Sequence, residues 1–208
     1  MQNNKLFIYQ LLPRLFGNRT STNAFNGSIE ANGCGKFNDI TPRVLNRLKE
    51  SGYTHVWYIG VLAHASATDY TAYGIPRQFP GIVKGKAGSP YAIRDYYDVD
   101  PDLAEEVPHR MKEFEALVHR THEAGLKVLI DNVARQYQSI AKPRGVKDFG
   151  EGDDPGVGFS PRNNFYYLPG QALETEFAGR AVAGDSYREF PAKATGNDCF
   201  SNKPTRHD

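Results

Sequence analysis

Of the 208 residues, 39% are hydrophobic and 24% charged, which fits a globular chain able to bury one core and excludes disorder as the leading reading. A formal net charge of +1, with no run of Lys or Arg, leaves no field to draw the chain to nucleic acid or an anionic membrane, so neither is an expected partner. No apolar stretch approaches the ~20 residues that span a bilayer.

The N-terminal MQNNKLFIYQLL lacks the basic region and long apolar core of a secretion signal, and a native start there predicts a cytoplasmic chain. Leu6 to Leu12 is a short apolar run closed by Pro13, which cannot donate to a strand ladder, so the first strand is expected there. After a Gly/Asn-rich loop, Asp39 or Thr41 can cap a helix with Pro42 in its first turn, and Ile40, Val44, Leu45 and Leu48 make an apolar stripe that stops at Gly52. THVWYIGVL, Thr54 to Leu62, is β-branched, aromatic and apolar almost throughout and predicts a second strand covered on both faces, as in a parallel sheet. A helix is predicted from Met111 to Ala124 with Gly125 at its C′ position, followed at once by a third strand, LKVLID.

Strand, helix, strand, helix, strand is an α/β pattern with right-handed crossovers. Residues 63–111 form a long Gly/Pro/Tyr/Asp-rich connection, and connections of that length in compact domains usually carry function. From Gln136 to Asp208 turn signals recur every few residues without helical period, which predicts an irregular, strand-poor segment. The expected division is residues 1–135 and 136–208.

Several stretches invite a chemical reading. NGCGKFND contains Gly-Lys, but Glu30 and Phe37 stand where a phosphate loop needs Gly and Ser or Thr, so the glycines are read as turn residues. Tyr91, Tyr96 and Tyr97 lie among Asp95, Asp98, Asp100 and Asp102, combining rings that stack on sugars with carboxylates that bind hydroxyls; a solvated loop with anchoring rings has the same composition. Asp131 closes the third strand, and functional groups in parallel α/β folds gather at the C-terminal ends of strands. His55, His64, His109, His119 and His122 show no metal-ligand pattern, and Cys34 and Cys199 imply neither a zinc site nor a disulfide framework.

The order of these pieces resembles the alpha-amylase family of glycoside hydrolases. IYQLLPRLFGN is similar to the family's opening strand, GKFNDITPRVLNRLKESGYTHVWYIGVL to its first helix and second strand, SPYAIRDYYDVDPDLA to the lead into its second helix, and EFEALVHRTHEAGLKVLID to the approach to its third strand. The resemblance implies the first three β/α units of a TIM (β/α)8 barrel with an irregular domain inserted after the third strand, and α-glucan or maltooligosaccharide as substrate. It implies Tyr91 as the platform under the sugar ring beside the scissile bond and Asp131 as a group on the site floor.

The family's motif there is Asp-x-x-x-Asn-His, whose Asn often binds structural calcium. This chain reads Asp131-Asn132-Val133, shorter than the motif and without its His. Asn132 is the candidate for the motif's Asn, and calcium the one cofactor the resemblance implies. The family cleaves with retention through an Asp nucleophile and a Glu acid/base on the fourth and fifth strands, the two carboxylates about 5 Å apart. No Asp or Glu here is assigned to either role, so the expectation is an N-terminal fragment, inactive by itself. The alternative is a non-catalytic sugar-binding or assembly piece completed by a partner.

Overall fold

The computed structural model describes residues 5–78, 83–132, 150–174 and 190–193. The chain divides into two compact units, Met1–Arg77 with Val83–Ile140 and Gln78–Ile82 with Ala141–Asp208. In chain order the first unit contains strand β1 (Ile8–Leu11), short helices α1 (Pro13–Phe16) and α2 (Ile29–Asn32), and helix α3 (Pro42–Glu50). Strands β2 (His55–Tyr58), β3 (Leu62–His64) and β4 (Ile93–Val99), helix α4 (Arg110–Glu123) and strand β5 (Lys127–Ile130) follow.

β1, β2 and β5 form a parallel sheet in the order β1-β2-β5, with Leu11, Tyr58 and Ile130 in register. Pro13 ends β1 and occupies the first turn of α1, where its missing N–H costs nothing. α3 and α4 end alike. Gly52 (φ +90°) and Gly125 (φ +72°) take left-handed conformations. Gly52 N–H donates to Lys49 O and Tyr53 N–H to Leu48 O; Gly125 N–H donates to His122 O and Leu126 N–H to Thr121 O. Both are Schellman caps, which satisfy the last carbonyls and turn the chain straight into β2 and β5.

Strand side chains alternate between faces, and here the alternation separates two environments. Leu11, Val56 and Tyr58 are buried with Leu45 of α3 and Leu117 of α4 in one core. Thr121 Oγ1 donates to Leu117 O at 2.7 Å, so the Tyr58 hydroxyl is the donor in its own 2.7 Å bond to Thr121 Oγ1. Arg120 ties α4 to the start of α3, donating from Nε to Ile40 O at 2.7 Å and from Nη2 to Phe37 O; burial holds its pKa below the ordinary value.

Two expectations change. The apolar run 54–62 is not one strand: it breaks at Gly60 (φ +69°), and Leu62–His64 pairs antiparallel with β4, with register shifts on either side of Ala63. The continuous apolar pattern reflects burial in two different sheets. The parallel sheet is also not covered on both faces among the described residues, because Ile8, Gln10 and Leu129 on the face opposite the helices are exposed. The described part of the long connection 63–111 contains the β3-β4 ribbon and 3-10 turns at Thr71–Tyr73, Pro101–Leu103 and Val107–His109.

In the second unit, β6 (Tyr167–Leu168) pairs antiparallel with β7 (Ala192–Lys193). Asp153 organises the turns before β6, accepting from Asn164 N and Nδ2, Phe165 N and the Tyr167 hydroxyl at 2.8–3.0 Å. No helix among the described residues is long and apolar enough to cross a membrane.

Candidate functional site

Asp131 directly follows β5 and shares a face with Leu129, hence with Trp57 across the β2-β5 register. The indole Nε1–H of Trp57 donates to Asp131 Oδ1 at 2.6 Å. The half-buried carboxylate is thereby fixed over the C-terminal end of β2 with its second oxygen outside that bond.

The segment before β4 packs near the same edge through Pro90. A Cβ on Gly60 would lie 2.8 Å from Pro90 Cβ and 3.4 Å from Leu12 Cδ1, so Pro90 rests on the chain just past β1 and β2. A Cβ on Gly88 would lie 1.8 Å from Ala65 O, so this close approach of loop to ribbon admits only glycine. Tyr91 follows Pro90, is 46% exposed as a residue, and its backbone N–H donates to Ser89 Oγ at 3.3 Å. Asp131 thus stands at the C-terminal end of β5, while Pro90, the residue before Tyr91, packs on the chain just past β1 and β2.

Asn132 is exposed, and no group of three or more His, Cys, Asp or Glu that could hold a metal occurs among the described residues. Residues 133–149, which follow Asn132, lie outside the described ones.

The acidic stretch before α4 has structural work. Asp95 is buried and accepts from Tyr97 N at 2.8 Å. Asp98 receives Arg110 Nε and Nη2 at 2.6–3.0 Å, a forked pair at the first residue of α4. Asp100 and Asp102 are fully buried. Arg14 Nη2 donates to both, at 3.2 Å to Asp100; the Tyr70 hydroxyl donates to Asp102 at 2.7 Å, and His64 Nδ1 lies 3.5 Å from Asp100.

Burial pushes the Asp100 carboxyl above its usual range, against the opposing pull of His64 and Arg14. Burial acts the same way on Asp102 but is outweighed by Arg14 and by hydrogen bonds from Tyr70 and Thr68, so its pKa falls. Sequence reasoning missed this network. Its signal was an Arg directly after the strand-ending Pro13 and the alternation Asp100-Pro101-Asp102, which aims two carboxylates around one 3-10 turn.

No family model and no curated protein matches the chain. Among solved structures it is similar to a trehalose-6-phosphate hydrolase from Bacillus licheniformis, at 23% identity over 62% of this chain and 17% of that one, with a TM-score of 0.38. It is also similar to a noncanonic maltogenic alpha-amylase from Thermotoga neapolitana, at 28% identity over 61% of this chain and 22% of that one, TM-score 0.36. A third is MutB in complex with the substrate sucrose, at 22% identity over 62% of this chain and 17% of that one, TM-score 0.38. The chain spans about a fifth of the length of these structures (17–22%). It is an α/β protein with small sheets, and the enzymes it is similar to are alpha-amylase family glycoside hydrolases.

Proposed function

We propose that the chain forms the first three β/α units of a (β/α)8 barrel, residues 1–135, with residues 136–208 as the domain inserted after β5, and that it builds one wall of a binding site for α-linked glucosides in an alpha-amylase-type glycosidase. One observation supports this reading: Trp57 holds Asp131 at the C-terminal edge of the parallel sheet, and Pro90, the neighbour of Tyr91, packs on the chain just past β1 and β2. The exposed Tyr91 ring offers a stacking face for a pyranose, and Asp131 offers a hydrogen-bond acceptor to its hydroxyls.

On this reading the chain binds and does not cleave. Retaining hydrolysis needs two carboxylates about 5 Å apart and facing the sugar. Asp100 and Asp102, the described carboxylates that share a cation, are buried and engaged by Arg14, Tyr70 and His64.

Titration with maltotriose followed by backbone amide shifts tests the wall. Binding is expected to perturb amides around Tyr91 and Asp131, and Tyr91→Ala to weaken it by about tenfold, the scale of a lost aromatic stack. Nitrophenyl α-glucoside should be hydrolysed no faster than in buffer; turnover abolished by Asp131→Ala would overturn the assignment of binding without cleavage.

A second reading, a piece completed by a partner, is favoured by the uncovered sheet face. Ile8 and Leu129 are 43% and 37% exposed, and β1 and β5 each pair only with β2 among the described residues. Light scattering on the purified chain tests it: self-association supports this reading, and a stable monomer counts against it.

A further inference from the structure

Behind the turn that carries Tyr91 lies a buried histidine. His64, the last residue of β3, is 4% exposed. Its Nε2 lies 3.0 Å from Ala87 O and its Nδ1 3.4 Å from Leu62 O. Carbonyl oxygens only accept, so satisfying both contacts takes a proton on each ring nitrogen. Asp100 Oδ2, itself fully buried, stands 3.5 Å from Nδ1 and supplies the opposing charge.

The turn runs from Ala87 to Ala92 and is anchored at both ends to one stretch of chain. His64 holds Ala87 O, and the next residue, Ala65, donates its N–H to Ala92 O at 2.9 Å. Between the anchors Ala92 N–H closes back on Ser89 O at 2.9 Å, and Gly88 packs so tightly that an added Cβ would meet His64 Cδ2 at 3.1 Å. Tyr91 sits between these fixed points.

The surroundings leave the His64–Asp100 pair in need of a proton. Arg14 is shared between Asp100 and Asp102. Lys36 Nζ donates to the Asp102 carbonyl at 2.6 Å, Arg94 of β4 is drawn to Asp98 and Asp95 ahead of Asp100, and Lys86 beside Ala87 is exposed. Burial pushes the Tyr70 hydroxyl and the Cys34 thiol upward, so both are neutral near pH 7. Two buried carboxylates thus face one guanidinium, and a proton on the pair restores the balance. Burial also raises the Asp100 carboxyl, which favours the protonated pair whichever partner carries the proton. Without it a bare Nδ1 faces two acceptors, and the ring gains by turning away from Leu62, which carries Nε2 off Ala87 O.

We propose that His64, sharing one proton with Asp100, is the positioning residue of the Tyr91 turn, and that loss of this proton loosens the turn and weakens ligand binding at Tyr91. The effect on a ligand rests on the function proposed above; the brace itself does not. An unfolded chain gives up its aspartate protons near pH 4 and its imidazole protons at about pH 6.5. Folding retains a proton on the pair, so the brace is complete below about pH 6.5 and is lost as pH rises through the raised folded value.

The test is a titration of the full 208-residue chain from about pH 5.5 to about pH 10, following the His64 ring nitrogens and the amides of residues 87–92 by proton–nitrogen correlation spectra. His64→Gln keeps a side-chain N–H for Ala87 O but does not titrate, and it identifies the His64 signals by their loss; the wild-type titration requires no variant to fold. A ring protonated on both nitrogens in acid, whose loss of one proton moves the Ala87, Gly88 and Ala92 amides while those of α3 stay in place, supports the brace. Maltotriose affinity should fall about threefold across the same transition, as the competent turn drops to about a third of the population, and should stay flat in His64→Gln. A ring with a constant proton count, or a transition that the turn amides do not follow, overturns the brace. Constant maltotriose affinity while the turn moves, or a pH dependence that persists in His64→Gln, overturns its control of binding. Absence of maltotriose binding at every pH overturns the sugar-site reading and that control with it, and the ring and turn signals then decide the brace alone.

Discussion

On one face of the parallel sheet Leu11, Val56 and Tyr58 are sealed beneath α3 and α4, whereas on the other Ile8 and Leu129 stay exposed and the indole of Trp57 is spent on Asp131. The same three strands supply both faces, and a one-residue alternation decides which side chain goes where. Burial on the helix face holds the unit together. The proposed wall of the sugar site lies at the C-terminal edge of the opposite face. The difference teaches that substitutions should separate: those on the helix side change stability, and those on the open side change binding.

The largest expected effect lies beside the packed side, in the Arg14 network. Asp102→Asn removes the charge that pairs with Arg14 in a buried setting, which costs about 3–5 kcal/mol at pH 7 by denaturant unfolding. Because the folded pKa of Asp102 is depressed, its contribution is present above the ordinary carboxylate range near pH 4 and is lost as pH falls through the lower folded value. The gap between wild type and variant should therefore close in acid; a gap that stays constant to pH 2 would show that Asp102 acts through packing and not through its charge.

Next comes Leu117→Ala on the helix face. Its side chain is fully buried against the sheet, and truncation is expected to cost about 3 kcal/mol. Leu129→Ala on the open face, at 37% exposure, should cost under about 1 kcal/mol in the same assay. Equal costs for these two would break the contrast between the faces.

The last contrast, absent from stability at neutral pH and read out by reactivity, concerns Cys34. Burial pushes its thiol from 9.0 up to about 11, and its Sγ–H donates to Gly35 O at 3.3 Å, which also favours the neutral form. Stability from this group is present below pH 9 and lost as pH rises through about 11. Alkylation of the Cys34 peptide at pH 8 should be slower in the folded chain than in denaturant by on the order of a hundredfold. Comparable rates would place the thiol in water.

How far the sequence could be read depended on the range of the interaction. Pro13 at the end of β1, Pro42 opening α3, and Gly52 and Gly125 closing α3 and α4 act within one turn of chain, so the elements they bound were legible. Gly60 carried a signal of the same kind, but the apolar residues on both sides of it masked the change from parallel sheet to antiparallel ribbon. Asp131 and Tyr91 could be singled out as residues, by strand-end position and by resemblance to the family's segments, but not the contacts around them, Trp57 on Asp131 and Pro90 beside Gly60.

By itself, then, the sequence determined the alternation of strands and helices, their caps, and the residue types available at the strand ends, because backbone propensity, period and capping are local. The tertiary structure alone decided that Trp57 meets Asp131 across 74 residues, that Arg14 consumes Asp102 across 88, and that Ile8 and Leu129 lie exposed among the described residues. Those outcomes follow from parallel register and from which surfaces find a cover, and neither is encoded in any window shorter than the crossover that joins the strands.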